Sequence, residues 1–174
     1  ARLITEGDTA DEYSFAHALL RQTLYDGLPT RRRMRTHRAV AEALEVRGDP
    51  PAVLLNHWLK ANENARSLAC ALDAAAAAQR TFAGSDVLAH LELALDIWDD
   101  VEDPDQVAST SHAQLVMQLS DARYDFGTTD SNTKARIRTE LSRDDLDDTT
   151  RALLFNSLAQ QFSLVGRSIE AGDA

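Results

Sequence analysis

The chain has 174 residues, 44% of them hydrophobic and 26% charged, with a formal net charge of −10. That composition supports one or two globular units with a core and excludes a disordered tail. Residues 1–60 carry a net +1 and residues 61–174 a net −11, so most of the chain repels a phosphate backbone and suits proteins or small ligands as partners.

The first plausible elements are two strands, at residues 2–4 and 12–15, separated by a polar stretch containing Gly7 and Asp8 that reads as a hairpin or wing. A first helix is predicted over residues 16–28, where Leu20, Leu24 and Leu28 recur every four residues before Pro29. A second begins near Thr30 and closes at Gly48. It places Met34, His37, Val40 or Ala41, and Leu44 on a buried stripe and Arg31, Arg35 and Arg38 away from it.

Asp49 then reads as a capping carboxylate ahead of Pro50 and Pro51, opening a short helix to about Ala61 with Leu54, Leu55, Trp58 and Leu59 on its apolar face. A longer helix is expected over residues 64–83, with Leu68, Leu72, Ala75, Ala76 and Phe82 inward and the alanine run 74–78 allowing close approach of a neighbour. Gly84 and Ser85 are expected to break it and to cap the next helix, which carries Leu88, Leu91, Leu95 and Trp98 to about Val101.

Asp103 and Pro104 repeat the aspartate-then-proline start. The helix after them has the most regular spacing in the chain, with Ala108, His112, Leu115, Leu119, Ala122 and Phe126 inward and Gly127 as its stop. A weaker helix carries Ala135, Ile137 and Leu141. The last carries Leu154, Leu158, Phe162 and Val165 inward and is expected to end at Gly166, with a further helix beginning near Ile169.

Few turn residues (7 glycines and 4 prolines), 6% aromatics and an abundance of alanine and leucine make the fold class mostly all-α. From residue 64 the elements read as antiparallel helix pairs with short joins, the plan of a tetratricopeptide-like solenoid of about 34 residues per pair. Within it, Ala71, Ala74, Ala75 and Ala78 on one helix face Val87, Leu91 and Ala94 on the next. A helix just beginning at the C-terminus leaves apolar surface uncovered, so the natural protein is expected to continue.

No stretch approaches the roughly 20 apolar residues of a membrane span and no leader pattern opens the chain, which predicts a cytoplasmic protein without membrane association. Cys70 is the only cysteine, so an intrachain disulfide or thiolate cluster is impossible. Its alanine-rich setting reads as core filler rather than a reactive thiol. His37 and His57 read as interhelical hydrogen bonders, and Trp58, Trp98 and Phe126 as packing residues on core stripes rather than ligand contacts. No phosphate-binding GxxxxGK[ST] loop, GxSxG elbow, CxxC, HExxH or carboxylate–histidine pair is legible, so no catalytic or metal-ligating residues are assigned and ATP hydrolysis is not expected of these residues.

Phe15, His17, the Leu20-Arg21 pair, Tyr25 and a later helix with His37, followed by His57-Trp58, resemble a pattern in the large LuxR-type transcriptional regulators built on STAND-type ATPases. There the end of a winged-helix domain leads into tetratricopeptide-like repeats. The likeness spans residues 12–102, with Thr36 standing where the family has leucine. It implies that residues 1–48 are the C-terminal part of a winged-helix domain and residues 49–174 are helical repeats.

By analogy with STAND proteins that carry a histidine at a similar place, His17 would donate to the β-phosphate of ADP held by an upstream ATPase domain. Here Ala16 and Ala18 flank it in place of the methionine and aspartate of that motif. Nucleotide (ATP or ADP) would belong to that upstream domain, and no cofactor to the residues in hand. Arg31, Arg32, Arg33, Arg35 and Arg38 form the one basic cluster. Three readings stay open for it: a solvated face, docking against the ATPase domain, and DNA contact, the last without a base-reading helix or interleaved aromatics.

The expected function is thus a non-catalytic sensor region of a signalling ATPase that regulates transcription, its repeats receiving a protein or small-molecule effector. The alternatives are the regulatory region of a class III nucleotide cyclase or protein kinase, and a stand-alone tetratricopeptide adaptor.

Overall fold

The computed structural model describes residues 4–6, 13–15 and 18–172. Helices dominate them: α1 (Ala18–Asp26), α2 (Thr30–Arg47), α3 (Pro51–Ala61), α4 (Asn64–Arg80), α5 (Gly84–Asp96), α6 (Pro104–Ala108), α7 (His112–Asp125), α8 (Ser131–Leu141) and α9 (Asp148–Gly172), with a 3-10 turn at Trp98–Asp100. The short strands β1 (Ile4–Glu6) and β2 (Tyr13–Phe15) pair antiparallel, with Ile4 opposite Phe15. Each of α2, α3 and α4 packs on its successor; α5 packs on α7, and α7, α8 and α9 pack on one another.

One hydrogen-bond motif closes four of the helices. After α2, α3, α4 and α7 a corner residue within two positions of the helix end donates three residues back and the next residue donates five back, for example Gly48 to the Glu45 carbonyl and Asp49 to the Leu44 carbonyl. This closure needs a left-handed residue at the corner, and Gly48 (φ 78°), Asn62 (φ 60°), Phe82 (φ 55°) and Gly127 (φ 64°) supply it. Glycine and asparagine adopt that region readily, whereas at Phe82 it costs roughly 1–2 kcal/mol.

The corner at Phe82 corrects the expected end of α4. The helix stops at Arg80, and Phe82, expected inward, is 87% exposed because the reversal points it away from the core. Gly84 is not the breaker but the first residue of α5. A Cβ there would lie 2.7 Å from Phe126 Cδ1, so its missing side chain makes room for the ring at the end of α7. Ser85 is no cap, since α5 follows Ala83 with no side-chain cap bond.

Other helix ends also depart from expectation. Asp49 does not cap α3; its carboxylate accepts two bonds from Arg47, at 2.5 and 2.9 Å, and Pro50 takes the cap position. The α5 helix ends at Asp96 rather than Val101, and the 3-10 turn completes the path. The helix expected to run through Ala108 and His112 is split by Ser109 (φ 51°) into α6 and α7. There Ser111 accepts from the Gln114 N–H while the Gln114 side chain accepts from the Ser111 N–H, a reciprocal capping box. Finally, α9 runs through Gly166 to Gly172.

The main core spans α3 to α9 and includes Leu55, Leu68, Ala71, Val87, Leu91, Ala94, Trp98, Leu115, Leu119, Ile137 and Leu154. Burying a side chain such as Leu68 or Leu115, each 0% exposed, contributes roughly 1.5–3 kcal/mol. A smaller cluster of Ala41, Leu54, Trp58 and Ala61 joins α2 to α3, and of the expected α2 stripe only Ala41 is fully buried. Half-buried Cys70 packs against both clusters, and burial, with Asp73 and Glu45 nearby, pushes its thiol up to about 11.

The α7–α9 interface is partly polar. Phe162, expected inward, is half exposed, and Gln161 is buried in its place, donating to the Ser120 carbonyl (2.9 Å) and Ser120 Oγ (3.1 Å). Ala135 is likewise exposed on α8, where Ile137 and Thr133 are buried instead. Arg123 on α7 is paired to Glu92 of α5 and to Asp130, which caps α8, and Arg136 of α8 is paired to Asp96.

Candidate functional site

A groove of about 570 Å³ lies between α4, α5 and α7, closed at one end by the α6–α7 joint. The alanine run of α4 creates it: Ala75 and Ala76 leave open what larger side chains would fill. Leu72, Val87 and Leu91 form an apolar floor, and Gln79, Gln118, Asp121 and Asp125 form a polar wall. No basic residue lines it. Partial burial, reinforced by Asp125 one turn away, raises the Asp121 carboxyl above the usual carboxylate range.

A second polar site lies where α2 meets α3. Tyr25 Oη is 2.8 Å from His37 Nε2, and His37 Nδ1 is 3.0 Å from His57 Nδ1, a chain from the end of α1 across α2 to α3. The two imidazoles are tilted by 47° with centroids 5.2 Å apart. Burial lowers the pKa of His37, helped by His57 and Lys60; burial lowers that of His57 too, helped by Lys60.

Two neutral proton arrangements satisfy the chain. In one, Tyr25 donates to His37 and His37 donates to His57; in the other, both bonds run in reverse. Each holds a single proton between the two Nδ1 atoms.

A third site carries a pair that the sequence did not disclose. His112 Nδ1 lies 2.7 Å from Glu140 Oε1, with Glu140 2% exposed and the Trp98 ring edge-on to the imidazole at 5.4 Å. No local spacing announces this pair, whose members stand 28 residues apart. Arg143 Nη1 stands 3.6 Å from the other Glu140 oxygen, and the rest of its guanidinium is held by Asp145. The adjoining cavity is about 340 Å³, but no nucleophile or second base meets the imidazole at hydrogen-bonding distance among the described residues.

His17, the residue assigned to nucleotide sensing, lies outside the described residues. Arg31, Arg32 and Arg35 are exposed on α2 and have no carboxylate partner among the described residues. Arg38 is paired with Glu63 at the α3–α4 corner, and Arg33 sits over the Tyr25 ring, 5.4 Å from its centroid and 3.9 Å from Asp26. Trp58 and Trp98 are buried, with the Arg66 guanidinium 4.7 Å above the Trp58 ring.

Among the described residues no group of three or more metal-ligating side chains converges, and no helix is long and apolar enough to cross a membrane. Compared with known proteins, the chain matches no family model, and no curated protein or solved structure is significantly similar to it.

Proposed function

We propose that this chain is the sensor region of a multidomain signalling ATPase that regulates transcription, with the groove between α4, α5 and α7 as its effector site. The groove carries this reading. It is within the size range of small-molecule sites, has an apolar floor and a polar wall, and lies on helices that pack against one another. In this reading the helices from α3 onward are tetratricopeptide-like repeats. The first 48 residues are the end of a winged-helix domain, with the strands as its wing.

The arginines of α2 then have a docking role. Arg31, Arg32 and Arg35 are exposed and have no carboxylate partner among the described residues, a pattern that suits an acidic surface on the upstream ATPase domain and that salt would weaken. His17 would sense the ADP or ATP of that domain. No catalysis is assigned to the chain itself.

The test uses the full-length parent. Ala76→Trp fills the groove from an exposed position, so signal-dependent activation should be lost while basal nucleotide turnover is retained. Unchanged activation rejects the groove, and a parent without an ATPase domain rejects the family reading.

A further inference from the structure

We infer that the α2–α3 joint is an acid-sensitive hinge, closed while His37 and His57 share one proton and opened when both imidazoles are protonated. The geometry requires this. With the two Nδ1 atoms 3.0 Å apart, one must donate and the other accept. A first added proton leaves the bond intact, because His37 can then donate from Nδ1 to His57 and from Nε2 to Tyr25. A second proton places two N–H groups and two positive charges against each other, and the contact becomes repulsive.

The surroundings do not offset that charge. Tyr25 faces His37 from α1, and Lys60 lies on α3 close enough to act on both imidazoles. Arg33 of α2 stands over the Tyr25 ring, its nearest carboxylate, Asp26, being 3.9 Å away. On α4, which packs on α3, Arg66 covers Trp58 and reaches Glu45 of α2 at 2.9 Å. Among the described residues no carboxylate pairs with His37 or His57. His112, by contrast, has the buried Glu140 as its partner.

Of the α2–α3 cluster's four buried members α2 contributes Ala41, with Leu44 packed against it, and the Arg38–Glu63 and Arg66–Glu45 pairs that also tie α2 down are partly exposed. Losing the imidazole bond therefore weakens the hold of α2 on α3.

Amide hydrogen exchange of the intact chain between pH 7.5 and 5, corrected for the intrinsic pH dependence of exchange, tests it. Protection of α2 should fall by about tenfold or more toward the acid end, the effect of one pKa unit, while protection of α4 is retained. In His57→Gln, which cannot take up a proton, α2 protection should not vary with pH. Pairing the titration with imidazole 15N spectra gives a readout independent of that variant's stability: the wild-type resonances should show His37 and His57 taking up protons in two separated steps. Parallel loss of protection in α2 and α4, pH-independent α2 protection, or one common protonation step overturns the hinge.

Discussion

Among the described residues two histidine contacts bridge neighbouring helices, and they meet opposite surroundings. His37 crosses from α2 to another imidazole, with Lys60 as its charged neighbour. His112 crosses from α7 to a buried carboxylate. A proton at the first contact adds positive charge beside positive charge. At the second contact the imidazole faces a carboxylate oxygen, the acceptor of a charge-assisted bond. The partner rather than the histidine therefore decides the character of each joint.

The comparison can be broken most severely through the shared core. Leu115→Ala empties a fully buried position on α7 and should cost about 2–5 kcal/mol in urea denaturation. It should leave the acid response of α2 unaltered; a changed α2 response would show that the two joints are coupled.

Glu140→Leu removes the acceptor of His112 while keeping bulk, and an unsatisfied half-buried imidazole should cost about 1–3 kcal/mol at neutral pH, read by the same denaturation. No loss of stability would mean that His112 finds solvent instead.

The smallest effect is the pH dependence of the α2–α3 joint. Folding lowers the pKa of both His37 and His57 from 6.5, so between the folded and unfolded values the unfolded chain binds more protons. Their contribution is complete above about pH 6.5 and lost as pH falls below it. His37→Gln should flatten that part of the stability profile, and a profile of unchanged slope would reject the assignment.

Much of the α3–α5 region was legible because its core is made by small and branched apolar residues at helical spacing. Ala71, Ala74, Ala75, Val87, Leu91 and Ala94 are all buried, as their positions suggested. Two physical causes account for several of the differences. Phe82 and Phe162 are apolar yet exposed, because a left-handed corner and a glutamine-to-carbonyl bond decide the packing there. Gly84 and Gly166 do not end helices, since one makes room for the Phe126 ring and the other lies within a helix.

Of the polar contacts, the lone histidines His37 and His57 were placed between helices by their stripe positions, but the bond joining them spans 20 residues and has no local signature. His112 and Glu140 are 28 residues apart, so no short motif could have joined them. The groove was invisible for a related reason, since it comes from missing bulk on α4 seen against α7 rather than from any marked residue.

Cys70 gives these joints a clock. It packs where the small α2–α3 cluster meets the main core, and burial, which pushes its thiol up to about 11, slows its reaction at neutral pH while the two clusters stay closed. As the chain's sole sulfhydryl, it turns each transient parting of the clusters into an opportunity for alkylation. The labelling rate thus rises as the N-terminal helices come away from the rest of the protein.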